Sequence, residues 1–197
     1  GRLARQLQKQ GLDDNTIIIY TADNGYYLGD RGFAGKWTHY EQSLRIPLII
    51  RDPRLPENQQ GKVISNIALN SDLASTIINL AGLPSPKSHT GVSLLPLLNG
   101  KKIEGWRNDF LCEFLAVPRT IPRWEGVRGT DWVYARYFIN GTDQPPFEFL
   151  HHLKEDPDQL KNLAPSQKHH SMLLKMRARC DALISQSGPT LQEIDAS

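Results

Sequence analysis

Apolar and polar positions change rhythm twice along this chain. Leu3 and Leu7 recur four apart among Arg, Gln and Lys, the pattern of an amphipathic surface helix, and Gly11 follows where helices close. Ile17, Ile18, Ile19 and Tyr20 then form an unbroken β-branched and aromatic run, which predicts a strand buried on both faces of a parallel sheet. A second such strand is predicted at 43–53, ended by Pro53, and a polar, aromatic, Gly-rich loop separates the two. Loops longer than about 15 residues inside compact domains are usually functional.

Further on, Leu73, Ile77, Ile78 and Leu80 are expected to form the buried face of a helix with Asp72 in its first turn and Gly82 as its stop. Residues 91–100 predict a short helix interrupted by Pro96 and ended by Gly100. The rhythm then shifts towards period two, with a strand at 109–115, an antiparallel hairpin over 126–141 and a third strand at 147–153. A polar turn leads into a final amphipathic helix that sets Leu173, Met176, Cys180 and Leu183 on one face. The expected organisation is the end of an α/β domain over residues 1–115, then a small α+β subdomain over 116–197.

Composition narrows the classes. With 39% hydrophobic and 22% charged residues, the 197-residue chain is globular rather than disordered. Lys and Arg number 23 against 21 Asp and Glu, too even a balance for the basic stripe of a nucleic-acid binder, so no nucleic-acid partner is expected. No apolar run approaches the ~18 residues of a membrane span, and the first residues lack the apolar core and cleavage site of a signal peptide. Cys112 and Cys180 fit neither a C-x-x-C nor a zinc spacing; a single disulfide between them stays open, while the helical periodicity that sets Cys180 with Leu173, Met176 and Leu183 favours a buried core thiol.

Chemistry is expected in the long loop. Asp23-Asn24-Gly25 begins three residues after Tyr20, at the strand end where open α/β sheets place their ligands. A carboxylate beside an amide oxygen offers two hard ligands suited to Ca²⁺ or Mg²⁺, although an Asx turn before a positive-φ Gly explains the same triplet. Lys36 and Trp37 follow Gly29, Gly32 and Gly35, which allow the loop to fold back over the strand end. His39 lies just beyond, placed either to meet a substrate or simply at the surface. The remaining histidines show no metal spacing, Tyr26, Tyr27 and Trp37 suit either a sugar pocket or packing, and Asn140-Gly141-Thr142 fits a glycosylation sequon.

As a set, TADNGYYLGDRGFAGKWTHYEQSLRIPLIIRDP closely resembles the second signature region of the sulfatase family. NSDLASTIINLAGLPSP, GVSLLPLLNG, WRNDFLCEF, VRGTDWVYARY and EFLHHLKEDPDQLKNLA follow in the family's order, so the resemblance covers nearly the whole chain. It implies the C-terminal part of an alkaline-phosphatase-like α/β sandwich, followed by a small antiparallel sheet with a C-terminal helix. It also implies hydrolysis of a sulfated small molecule or glycan in a periplasmic, secreted or lysosomal setting. By motif match, Asp23 and Asn24 are metal ligands for Ca²⁺ or another divalent cation, Lys36 is catalytic and contacts sulfate, and His39 is a further substrate contact.

Two departures qualify that reading. Many relatives carry His where this chain has Arg31, which is left as an ion pair with Asp30 or a substrate contact. No C/S-x-P-S-R motif, the source of the family's formylglycine nucleophile, stands in this sequence. The expectation is therefore a C-terminal sulfatase portion, inactive alone, whose partner is the missing N-terminal half or another copy of itself. The alternatives are a phosphodiesterase or phosphonate hydrolase of the same superfamily, or an inactive truncated binding module.

Overall fold

The computed structural model describes residues 1–115, 121–139, 142 and 144–187. Its elements in chain order are α1 (Arg2–Lys9), β1 (Ile18–Thr21), β2 (Tyr27–Leu28), β3 (Ala34–Gly35), α2 (Glu41–Leu44), β4 (Leu48–Arg51), α3 (Asn70–Leu80), α4 (Leu95–Leu98), β5 (Asp109–Phe114), β6 (Trp124–Gly129), β7 (Trp132–Tyr137), β8 (Phe147–His152) and α5 (His170–Gln186). They form two compact units, residues 1–23 with 46–107 and residues 24–45 with 108 onward. The expected division after residue 115 separates two textures of sequence. Contacts instead group the loop 24–45 and β5 with the C-terminal sheet.

In the first unit β1 and β4 pair antiparallel, with Ile19 opposite Ile50 and Tyr20 opposite Ile49. The expectation of parallel strands buried on both faces is corrected, because Tyr20 is 60% and Ile49 62% exposed. An unbroken apolar run reports β-propensity but not strand direction. Burial along β4 has the period of two expected when one face is covered.

Helix α3 corrects a second expectation. Its buried face is Asp72, Ser75, Thr76 and Leu80, while Ile77 is exposed. The reason is the neighbour, an irregular stretch at 89–94 whose backbone needs polar partners. Ser75 Oγ donates to the Gly91 carbonyl at 3.0 Å, Thr76 Oγ1 accepts the Leu94 N–H at 2.9 Å, and Asp72 Oδ1 accepts the Val92 N–H at 2.8 Å. A Cβ on Gly91 would fall 1.9 Å from the Ser71 carbonyl oxygen, so only glycine fits this crossing. Asp72, fully buried, also caps its own helix through the Leu69 N–H at 2.8 Å and pairs in both its oxygens with Arg107. In α4, Pro96 stands in the first turn, where its missing N–H is not required, so it starts the helix rather than interrupting it.

The second unit is built on an antiparallel sheet in the order β5-β6-β7-β8, with Val127 opposite Tyr134 and Tyr134 opposite Leu150. One face packs on α5, where Val127, Tyr134, Leu150, Leu163, Leu173, Met176 and Cys180 form the core. The predicted helical face including Cys180 is thus observed. Both cysteines are free and buried, and burial pushes their thiols up to about 12, which keeps them unreactive. Arg177 pairs with Glu148, itself held by the Tyr134 hydroxyl at 2.6 Å, and Arg179 grips Asp109 through two bonds of 2.7 Å. The turn after β8 is stitched back to it by Asn162, whose Oδ1 accepts the Leu150 N–H at 3.0 Å and whose Nδ2 donates to the Glu148 carbonyl at 2.9 Å.

The sequon's Asn140 and Gly141 lie outside the described residues. Among the described residues no helix is long and apolar enough to cross a membrane.

Replacing Asp72 by Ala removes the carboxylate partner of the partly buried Arg107 guanidinium and leaves the Leu69 and Val92 N–H groups without their acceptor. Removing one partner of a buried pair costs about 3–5 kcal/mol. Urea titration of the Asp72→Ala chain is expected to show a loss of that size with little change in slope, and a loss below about 1 kcal/mol would contradict the central place given to this carboxylate.

Candidate active site

The loop that carries the expected chemistry is fastened to the antiparallel sheet at several points. Strands β2 and β3 form a short hairpin, Tyr27 opposite Gly35, and the Tyr27 hydroxyl shares a 2.6 Å hydrogen bond with Thr38. The Gly25 N–H donates to the Ser43 carbonyl at 2.9 Å. A Cβ on Gly25 would lie 2.2 Å from the Gln42 carbonyl oxygen and 2.9 Å from that of Arg45. Gly25 is therefore required by close backbone approach to α2, not by the positive φ of an Asx turn. Trp124 Nε1–H donates to the Trp37 carbonyl at 2.8 Å, and the Glu41 N–H to Gln159 Oε1 at 2.8 Å. Glu41 also receives Arg128 through both of its oxygens, at 3.0 and 2.9 Å. The Y-E-x-S-L-R run is thus the docking strip of the loop.

At the centre of this docking lies His39, 1% exposed, against Tyr137, Phe149, His151 and Trp124. Its hydrogen bonds assign the protons. His151 Nδ1 faces the Lys161 carbonyl at 3.1 Å, and a carbonyl only accepts, so Nδ1 carries the hydrogen and Nε2 is the acceptor. His39 Nε2, 3.2 Å away, must then donate, which leaves His39 Nδ1 to accept the Tyr137 O–H at 2.9 Å. The Tyr137 oxygen in turn accepts the His39 backbone N–H at 3.2 Å. Both rings are neutral. Burial, then the neighbouring His151, then the Arg31 charge hold His39 well below the usual histidine range, and burial likewise lowers His151. The expectation that His39 contacts substrate gives way to a structural role, because both ring nitrogens are engaged by protein groups.

Lys36 stands three residues before this anchor. Its Nζ donates to Asn24 Oδ1 at 2.6 Å, and Asn24 Nδ2 donates to the Gly25 carbonyl at 2.7 Å, which fixes the amide so that its oxygen faces the ammonium. The structure therefore brings two of the predicted residues together across the base of the hairpin. Asp23 is the last residue of the first unit, and its carbonyl accepts Asn70 Nδ2 at 2.5 Å. Consecutive Asp23 and Asn24 are hard oxygen donors of the type a divalent ion takes, and the Asn24 oxygen here holds the Lys36 ammonium. Two such ligands fall short of a full shell, and no group of three or more His, Cys, Asp or Glu gathers among the described residues.

Tyr137, Glu41 and Gln159 were not singled out from sequence. The only signals for them were the runs VRGTDWVYARY, Y-E-x-S-L-R and D-P-x-x-x-x-N-L-A, which carry no chemistry of their own.

Comparison with known proteins agrees with this architecture. A family model described as N-sulphoglucosamine sulphohydrolase, C-terminal, matches residues 29–186. The N-acetylglucosamine-6-O-sulfatase of Bacteroides thetaiotaomicron is 35% identical over 185 residues, 89% of this chain and 32% of that protein. The human N-acetylglucosamine-6-sulfatase is 30% identical over 217 aligned residues, 96% of this chain and 39% of its own length. Among solved structures, a protein in complex with its substrate D-glucosamine-2-N,6-O-disulfate superposes with a TM-score of 0.83 at 30% identity, covering 94% of this chain and 37% of that one. The phosphonate monoester hydrolase of Agrobacterium radiobacter follows at 0.80 and 25%, covering 94% and 38%. The fold is that of the alkaline-phosphatase-like enzymes. Within that class the chain belongs to the sulfatase family, matching its C-terminal region, and it spans about a third of the length of the curated relatives it matches.

Because both buried histidines have lowered folded-state values, the unfolded chain binds more protons just below its own value near 6.5. The pair's contribution to stability is complete above that pH and is lost as pH falls from about 6.5 towards the depressed folded values. Denaturation midpoints measured from pH 8 to 5 should be flat at first and then fall, and His151→Gln should remove part of the decline. Midpoints that rise on acidification would contradict the neutral assignment. Tyr137→Phe should cost about 1–3 kcal/mol, since it strands the His39 N–H and Nδ1.

Proposed function

We propose that this chain is the part of a sulfuric ester hydrolase that supplies sulfate-binding and metal-binding residues, acting on a sulfated amino sugar. The observation that carries the reading is Lys36, held by Asn24 on a loop whose base is anchored in a packed sheet. Support for the substrate class comes from the names of the relatives, which are glucosamine sulfatases.

Hydrolysis adds water across the sulfate ester and gives an alcohol and sulfate. As the S–O bond breaks, negative charge grows on the departing oxygen and on the sulfuryl oxygens. A fixed ammonium is worth most there, because it needs no reorganisation. Lys36 is positioned by Asn24 to neutralise that charge and to protonate the leaving oxygen. A Ca²⁺ or similar cation, held by Asp23 and Asn24, would supply further positive charge to the sulfate oxygens. The nucleophile, a formylglycine in this reading, comes from elsewhere in the parent polypeptide, and that remainder covers the exposed Tyr20 and Ile49 side of the β1–β4 ribbon.

In the parent polypeptide, Lys36→Ala is expected to lower kcat on 6-O-sulfated glucosamine by about 10²–10³-fold, the usual cost of one stabilising donor. A change within threefold would remove Lys36 from the chemistry. The chain alone should not turn over an aryl sulfate, and calorimetry should show no Ca²⁺ site tighter than roughly 10⁻⁴ M. A micromolar site lost in Asp23→Ala would show that the chain builds a complete site by itself. A second reading, a phosphonate monoester hydrolase, rests on the Agrobacterium likeness. It predicts that the parent cleaves an aryl phosphonate monoester faster than the sulfated sugar.

A further inference from the structure

The proposed reaction leaves the guanidinium of Arg31 unused. It sits at the tip of the β2–β3 hairpin with φ 58, in the left-handed region that non-glycine residues rarely adopt. Strain of this kind costs of order 1–3 kcal/mol and persists only where the surroundings impose it. The face of its guanidinium lies 4.0 Å from the centre of the Tyr40 ring. Its Nε and Nη2 are buried and donate to no acceptor among the described residues. Neither nearby carboxylate is paired with it among the described residues. Asp30 accepts the Leu28 N–H at 3.4 Å, and Asp156, within the field of Arg31, spends both oxygens on the Leu160 and Lys161 N–H groups at 3.0 and 2.8 Å. The ion pair with Asp30 left open by the sequence is not formed among the described residues.

A guanidinium held off its ordinary backbone conformation, supported on one face and with an edge of donors unmet, is a forked cation waiting for a bidentate anion. Lys36 already accounts for the sulfate that is cleaved. A solved relative binds a substrate with two sulfate groups, D-glucosamine-2-N,6-O-disulfate. We propose that Arg31 recognises a second anionic group, a sulfate or carboxylate, on the same sulfated sugar, an inference that rests on the sulfatase reading above. Gly29 and Gly32, at φ 105 and 73 on either side, have open space around them and allow the tip to adjust as the anion meets the guanidinium edge.

The test uses the parent polypeptide and two probes, glucosamine 6-O-sulfate and glucosamine 2-N,6-O-disulfate. The readout is the ratio of kcat/KM for the disulfate over the monosulfate. Arg31→Gln should lower that ratio about tenfold or more, mainly through KM of the disulfate, as expected for loss of one charge-assisted fork. Arg31→Lys should keep part of it, because it retains the charge without the fork. An unaltered ratio in Arg31→Gln overturns the proposal, as does an equal loss on both probes, and thermal unfolding of each variant separates the latter from simple destabilisation. If the wild-type parent hydrolyses neither probe, the sulfatase reading itself fails and takes this assignment with it.

Discussion

Everything proposed for the loop 24–45 depends on the burial of one neutral histidine. His39 offers its backbone N–H, Nδ1 and Nε2 to partners on β7 and β8, and each is taken. A buried polar ring is costly when any of its hydrogen bonds is missing, so this closed set works as an all-or-none clasp. The aromatic packing of Trp124, Tyr137 and Phe149 around it keeps water out and makes the clasp directional. With its end fixed in this way, a Gly-rich hairpin can hold the half-buried Lys36 ammonium in a constant place.

The clasp is reinforced by a second kind of contact that involves no titratable ring. Glu41 joins Arg128 in the sheet and, through its N–H, Gln159 in the turn after β8. Gln159 is itself at φ 51 and fully buried, so the turn is strained into the position where its amide can receive α2. The Asp156 and Asn162 caps that hold this turn explain why the D-P-x-x-x-x-N-L-A run accompanies the Y-E-x-S-L-R run although the two lie far apart in sequence.

Element types were legible in the sequence, because hydrophobic period and Gly or Pro punctuation are local properties. The final helix with Cys180 inward and the hairpin around residue 130 follow from them directly. What was not legible depends on partners. Ile17 to Tyr20 reads the same in a parallel or an antiparallel pair. Helix α3 turned its Asp72, Ser75 and Thr76 inward because an irregular loop, not an apolar surface, lies against them. For the candidate site, Asp23, Asn24 and Lys36 stood out by residue type and motif, and the structure adds the Asn24 to Lys36 bond. For His39 the sequence leaves substrate contact and surface exposure open, because the Tyr137 and His151 that enclose it lie about a hundred residues away in the chain.

The central claim is that the loop carrying Lys36 is part of the cooperative sheet structure rather than a tether hung from it. Native-state hydrogen exchange measures this directly, since it reports the opening free energy of each amide. The amides of Gly25, His39, Glu41 and Arg45 should open with the same free energy as those of Val127 and Tyr134 in the sheet ladder. Exchange of the 25–45 amides at loop rates, while the ladder stays protected, would contradict the account.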